Sequence, residues 1–246
     1  MQDEELEIFS RQLILKDFNE ISFGNLQNRE VSIIGVGGIG CPLAQYLISC
    51  GIKNLNLFDD DIIQKNNLNR QTLFNINEIN KKKTTVAKKK LLKINPHANI
   101  HAYDKKINKK NITLLKNSSI IIDASDNWSS MRLINNYAVK NNIPLISASA
   151  VGLDIQIILF ENKKNKHICL ECIFPNKEEP DLARCDKIGI LGTSAGLAGI
   201  LGAQKTINFF MKFDNNNNVL TLINCKTLLF NHIKISTNTN CKLKNI

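Results

Sequence analysis

Four glycines close the stretch Val31-Ser32-Ile33-Ile34-Gly35-Val36-Gly37-Gly38-Ile39-Gly40, which leaves a β-branched apolar run and enters Cys41-Pro42-Leu43-Ala44-Gln45-Tyr46-Leu47-Ile48. It reads as strand, tight turn and helix. Its chemistry is that of a phosphate cradle. Without side chains at Gly35, Gly37 and Gly40 the backbone turns sharply, a polyphosphate comes close and the helix packs on the strand. The helix N-terminus adds unpaired amides and the positive end of its dipole. Asp59 ends the next apolar run, Asn54-Leu55-Asn56-Leu57-Phe58. It lies about 20 residues beyond the glycines, where a carboxylate accepts both hydroxyls of a ribose. The pair specifies a nucleotide without choosing one: ATP and a nicotinamide dinucleotide fit equally, and glycines that serve only helix–strand packing are the plainer alternative.

Three further groups carry chemistry. Asp59-Asp60-Asp61 sets carboxylates side by side, which repel unless a cation or hydroxyls are near. Asp126, in Asp123-Ala124-Ser125-Asp126-Asn127, follows the apolar run 119–122; capping of the next helix by Asp126 or Asn127 accounts for such residues without any site. Cys169-Leu170-Glu171-Cys172 has the spacing of a metal or redox pair.

The elements that must position these groups alternate. Apolar runs at 31–34, 54–58, 100–103, 119–123, 144–148 and 154–160 read as strands. Helical spacing recurs at 3–15 (Leu6, Phe9, Leu13), in the helix opened by Lys81-Lys82-Lys83 (Ala87, Leu91, Ile94) and stopped by Asn95-Pro96, after Asn127 (Met131, Ile134, Ala138), and over 189–213 through Ala195, Ala198, Gly199, Gly202 and Ala203. Two closing strands, 219–224 and 227–235, meet at a tight turn near Cys225. The pattern predicts a Rossmann-like α/β fold: a mainly parallel sheet with helices on both faces and antiparallel C-terminal strands. Ligands of such sheets bind beyond the carboxyl ends of the strands. The glycine loop, Asp59 and Asp126 each follow a strand directly and so share one rim.

Residues 64–80 lack a clean period and form an irregular loop around Asn67, Arg70 and Gln71. Lysines in the first turn of the next helix oppose its dipole by about 0.3–1 kcal/mol each, and an anion at that end reverses the sign. Residues 161–188 form a polar crossover loop holding Pro175, Pro180, Cys169, Cys172 and Cys185. Arg11 lies off the stripe of its helix and by local spacing is a solvated surface arginine.

The 246 residues suit one large α/β domain. No stretch approaches the roughly 20 uninterrupted apolar residues of a membrane span, and the acidic Met1-Gln2-Asp3-Glu4-Glu5 is unlike a signal peptide, so a soluble cytoplasmic protein is expected. Seven cysteines in that compartment do not predict a disulfide framework. The formal net charge of +10 is mostly lysine mixed with asparagine and isoleucine, without interleaved aromatic stacking positions. It reads as solvated faces and loops rather than a nucleic-acid surface.

Taken together these residues resemble the ThiF/MoeB/HesA family, bacterial relatives of ubiquitin-activating enzymes. The resemblance runs through Ser10-Arg11-Gln12-Leu13-Ile14-Leu15, the loop 35–41, Asp59-Asp60-Asp61, Asn67-Leu68-Asn69-Arg70-Gln71-Thr72-Leu73, Lys83, Asn95-Pro96, Asp123-Ala124-Ser125-Asp126-Asn127 and Cys169-Leu170-Glu171-Cys172. It implies a single adenylation domain over residues 1–246. Phe174-Pro175-Asn176-Lys177-Glu178-Glu179-Pro180 ahead of Cys185 is most similar to the ThiF branch, which activates the sulfur carrier ThiS for thiamine thiazole synthesis.

The resemblance implies MgATP-dependent adenylylation of the C-terminal glycine of a small ubiquitin-like protein. The nucleotide would lie on Gly35, Gly37, Gly38 and Gly40, with Asp59 and Asp61 at the ribose end, Asn67, Arg70 and Lys83 on the phosphates and Asp126 on Mg²⁺. Arg11 would reach the partner subunit's triphosphate in a homodimer, Cys185 would join the carrier through an acyl disulfide, and a desulfurase would donate sulfur. One departure concerns structural zinc, which the family holds with two CxxC pairs. Here Cys241-Lys242-Leu243-Lys244 supplies one cysteine of the second pair, so Cys169, Cys172 and Cys241 form an incomplete Zn²⁺ set, to be completed by water or His167. Alternatives are a MoeB-like enzyme serving the MoaD carrier, an NAD-dependent oxidoreductase, and a non-catalytic binding subunit.

Overall fold

The computed structural model describes residues 3–163, 168–175, 189–213, 218–238, 241 and 243. Strand β1 (Glu30–Ile34) runs parallel to β2 (Asn54–Phe58) and β4 (Ile120–Asp123); β2 pairs with β3 (Asn99–Tyr103) and β4 with β5 (Leu145–Val151), all in parallel. β6 (Asp154–Phe160), β7 (Val219–Asn224) and β8 (Leu229–Lys234) then add antiparallel, giving the order 3-2-1-4-5-6-7-8. The predicted Rossmann-like sheet with antiparallel C-terminal strands is therefore present. The order reverses at β1 and β4, which opens a crevice beyond their carboxyl ends.

The central strands are apolar on both sides because both faces are covered. Val31, Ile33, Leu55, Leu57, Ile120 and Ile122 pack toward α3 (Gly40–Ser49), α4 (Lys83–Ile94) and a long helix, α7 (Gly192–Met211). Ile34, Phe58, Ile121, Leu145 and Phe160 pack toward Ile134 and Ala138 of α5 (Trp128–Lys140). Each fully buried Ile or Leu contributes about 1.5–3 kcal/mol. The small residues of α7 set how closely it approaches α3: a Cβ on Gly199 would stand 2.3 Å from the Ile39 carbonyl oxygen, and one on Gly202 2.7 Å from Leu43 Cδ1.

Helix α1 (Asp3–Leu13) buries Phe9 on Phe23, ring centroids 4.9 Å apart, from α2 (Glu20–Gln27). α2 was not anticipated, since it buries only Phe23 and Leu26; Asn19 caps it by accepting from the Ser22 N–H. Boundaries also moved. α4 begins at Lys83 rather than Lys81, because Lys82 pairs in a bridge with Ile62, and Ile94 is exposed. The loop 64–80 holds two single-turn 3₁₀ segments, and part of the predicted crossover loop forms a one-turn helix, α6 (Leu170–Ile173). Among the described residues no helix is long and apolar enough to cross a membrane.

Candidate active site

The glycine loop is tied to both neighbouring strands: Gly35 N–H donates to the Phe58 carbonyl at 2.8 Å, and Ala124 N–H to that of Ile34 at 2.9 Å. Its glycines do different jobs. Gly35 adopts φ +93°, and a Cβ there would lie 2.6 Å from the Ala124 carbonyl oxygen; a Cβ on Gly40 would lie 2.0 Å from that of Gly35. These two close the turn. Around Gly37 the space is open, the nearest atom being Gln71 Nε2 at 3.8 Å, whereas Gly38 admits Ala195 of α7 and the stem of Arg70.

Asp59 stands beside the loop with its carboxylate already oriented. Oδ2 accepts from Val36 N–H at 2.8 Å and Oδ1 from Asp61 N–H at 2.9 Å. Burial pushes its pKa up, against the opposing pull of Lys83. Lys83 is buried, with Nζ 2.7 Å from Asp61 Oδ2 and 3.9 Å from Asp59 Oδ1. The anion that a lysine at a helix N-terminus requires is thus supplied here by Asp61.

Arg70 Nη1 donates to the Asn66 carbonyl (2.8 Å) and to Asn69 Oδ1 (3.1 Å). The loop is seated on α7, since a Cβ on Gly192 would meet the Asn69 carbonyl at 2.4 Å. Asn67 is buried and accepts from Gln64 N–H. Gln71 is a further candidate that the sequence singled out only as a loop residue. It is buried beside Gly37, and its Oε1 has no hydrogen-bond partner among the described residues. Nothing in its spacing carries that information.

Asn127, not Asp126, caps α5, accepting from Ser130 N–H at 2.9 Å; Asp126 is exposed. Behind it Asp123 is fully buried, and desolvation raises its pKa to about 6 despite donation from Ser125 N–H and Oγ.

These residues surround one cleft of about 1230 Å³. Gly35, Gly37, Gly38, Asp59, Asp61, Asn67, Arg70, Lys83 and Asp126 all line it. It continues as a trough over one face of β5–β8, past Ser147, Ser149, Gln156, Ile158 and Leu220, with Trp128 and Phe174 along its wall. Gly40 lies behind the loop, and Arg11 is exposed on α1; neither lines the cleft. Cys185 and His167 fall outside the described residues.

The sulfurs of Cys169, Cys172 and Cys241 lie within 4.8 Å of one another, although Cys241 is 72 positions from Cys169. Sulfurs on a tetrahedral zinc with bonds of about 2.3 Å are about 3.8 Å apart, and Cys169 Sγ is 3.6 Å from Cys241 Sγ. The set therefore fits three corners of such a site. No fourth His, Cys, Asp or Glu joins it among the described residues. Hydrogen bonding from the Cys169 thiol lowers the pKa of Cys172. Cys169 stands at the N-cap of the helical turn Leu170–Ile173, which contains Cys172, and Cys241 adds a third sulfur beside the pair.

The model of the ThiF family matches residues 9–243. The "Adenylyltransferase and sulfurtransferase MOCS3" of Drosophila virilis is 35% identical over 213 residues, 86% of this chain and 47% of that protein. The MOCS3-1 protein of Drosophila pseudoobscura pseudoobscura is 31% identical, covering 96% of this chain and 53% of its own length. The chain spans about half the length of these curated relatives. Among solved structures, E. coli MccB with MccA-N7isoASN superposes with a TM-score of 0.85 at 24% identity, over 98% of this chain and 75% of that one. MccB with ATP gives 0.81 at 22%, over 100% and 82%; these likenesses bear on the fold. With a family match over nearly its whole length, residues 9–243, the chain belongs to the ThiF family.

Proposed function

We propose that this chain adenylylates the C-terminal carboxylate of a small ubiquitin-like sulfur carrier. The observation that carries this reading is the convergence on one cleft of an open glycine cradle, a carboxylate already oriented beside it, two cations and a separate exposed acid, with a trough leading away. ATP lies with its ribose on Asp59 and its phosphates over Gly37, near Asn67, Arg70 and Lys83. The carrier carboxylate attacks the α-phosphorus; an oxygen–phosphorus bond forms, the bond to the β-phosphate bridge breaks, and pyrophosphate leaves. Nucleophile and phosphates are both anionic, so Arg70 and Lys83 offset their repulsion and take up charge on the leaving group. Lys83 turns from Asp61 toward the phosphates as it does so. Asp126 would hold Mg²⁺, which when bound neutralises phosphate charge.

A homodimer in which Arg11 reaches the other subunit's triphosphate accounts for a basic residue exposed outside the cleft. The relatives' names pair adenylyl transfer with sulfur transfer, which supports a sulfur carrier as acceptor and a desulfurase as donor. Residues 174–180 favour a ThiS-like carrier; a MoaD-like one is the second reading, because the cleft residues serve either. Exchange of labelled pyrophosphate into ATP decides: stimulation by the ThiS-like carrier alone supports the first, by the MoaD-like carrier alone the second, and by neither removes both.

The sulfur spacing supports zinc on Cys169, Cys172 and Cys241, with His167 or water as the proposed fourth ligand. Protein purified without chelator is expected to carry about one zinc per chain, and Cys169→Ser to lose it with a lowered melting temperature, since structural zinc supplies roughly 10–16 kcal/mol of apparent binding free energy. Elemental analysis checks the content and calorimetry the stability.

A further inference from the structure

The trough wall contains a donor that none of the described residues uses. Trp128, the first residue of α5 and the one tryptophan of the chain, is 8% exposed and lines the cleft two residues beyond Asp126. Its indole Nε1 is shielded from solvent and has no hydrogen-bond partner among the described residues. A buried N–H left unpaired is destabilising, and a buried tryptophan N–H ordinarily finds an acceptor.

The ring is not loose. Phe174 meets it edge to face at 5.3 Å and 88°, and the Arg132 guanidinium faces it at 6.0 Å, itself paired with Glu171 of α6. Because α5, α6 and the head of the crossover segment all grip the ring, reorienting it toward a protein acceptor would break these contacts. An acceptor brought by the ligand leaves the ring where it is and requires only that the atoms covering Nε1 shift.

The position decides which part of the ligand that is. Asp59 follows β2, the glycine loop follows β1 and Asp126 follows β4, so ribose and phosphates are spread across three adjacent strand ends, about 4.8 Å apart. Trp128 lies past the last of them, where the cleft becomes the trough over β5–β8. What occupies the trough end is the substrate that brings the carboxylate, and the acceptors of an extended peptide tail are its backbone carbonyls.

We propose that the Trp128 indole N–H is a specificity-determining donor that binds a backbone carbonyl of the carrier's C-terminal tail. The inference rests on the adenylylation reading above. The tryptophan is unique, so its indole ¹H–¹⁵N signal is assigned without ambiguity. In the unaltered protein that signal is expected to move downfield and saturate on titration with a carrier ending in glycine. It should stay in place with MgATP alone and with the same carrier shortened by two residues.

Trp128→Phe keeps the aromatic contact with Phe174 and removes the N–H. The KM for carrier in pyrophosphate exchange should rise about tenfold, or about 1.4 kcal/mol, with kcat within about threefold and ATP affinity within about twofold, the scale of one hydrogen bond. An indole signal unmoved by carrier, or moved by MgATP alone, or an unchanged KM in the variant would overturn the inference while wild-type exchange persists. Absence of carrier-stimulated exchange in the unaltered protein would instead remove the adenylylation reading, and this inference with it.

Discussion

Replacing Arg70 or Asp126 with alanine is expected to lower ATP–pyrophosphate exchange at least about 100-fold, the cost typical of removing one preorganised charge-stabilising group, while leaving the melting temperature within a few degrees. Both halves follow from the geometry. Arg70 is partly exposed; its stem crosses Gly38, and its Nη1 is fixed by Asn66 and Asn69, bonds that water can replace on the loop surface. Its guanidinium is therefore oriented at low cost to the fold. Asp126 is exposed and leaves helix capping to Asn127, so its removal leaves that cap intact. The reaction brings a carboxylate to a polyphosphate, and neutralising that repulsion is what the two residues have in common. Near-normal exchange in both variants, measured with labelled pyrophosphate, would refute the assignment of this cleft.

Gly40→Ala should unfold the loop, whereas Gly37→Ala should leave it folded and weaken ATP. The added methyl at Gly40 would meet the Gly35 carbonyl oxygen at 2.0 Å. That carbonyl has little room to yield, because Gly35 sits at φ +93° and the Ile34–Gly35 peptide before it is held by the bonds to Phe58 and Ala124. Overpacking against fixed backbone costs about 3 kcal/mol or more, a large share of the usual 5–15 kcal/mol, and lowers the melting temperature of a domain this size by about 10 °C. At Gly37 the nearest atom is 3.8 Å away and φ is not left-handed, so stability should change by no more than about 0.5 kcal/mol. The methyl instead enters the space a phosphate would take, and ATP affinity should fall about tenfold or more, on the same 1–3 kcal/mol overpacking scale. Calorimetry and nucleotide titration of the two variants separate the effects; equal stability losses in both would show that the cradle is not open as described.

The pairing of Lys83 with Asp61 carries a related lesson. A lysine this buried cannot stand uncompensated, and Asp61, more than half exposed, holds it at 2.7 Å. An exposed acid is readily exchanged for an incoming phosphate, since its own desolvation has not been paid. The ligand-free ion pair keeps the ammonium beside Asp59 and the glycine loop.

Much of this was legible in the chain. Residues 31–40 announce strand, turn and helix through β-branching followed by glycine, and Asp59 and Asp126 declare themselves by directly following apolar runs. These are local signals, set by backbone sterics and by the two-residue and 3.6-residue repeats of burial. They determined the parallel sheet, its shared rim and the glycine-floored cleft there. They missed α2, whose burial is limited to Phe23 and Leu26, and they put the start of α4 two residues early because the Ile62–Lys82 bridge is a contact across 20 positions.

Only the tertiary structure decided that Gln71 lies beside Gly37, that Asn127 rather than Asp126 caps α5, and that the Trp128 N–H in the trough wall has no acceptor among the described residues. Each depends on which side chain meets which across long separations, and on whether a polar atom is satisfied once water is gone. Spacing along a chain records periodicity; desolvation and pairing exist only after the elements have packed.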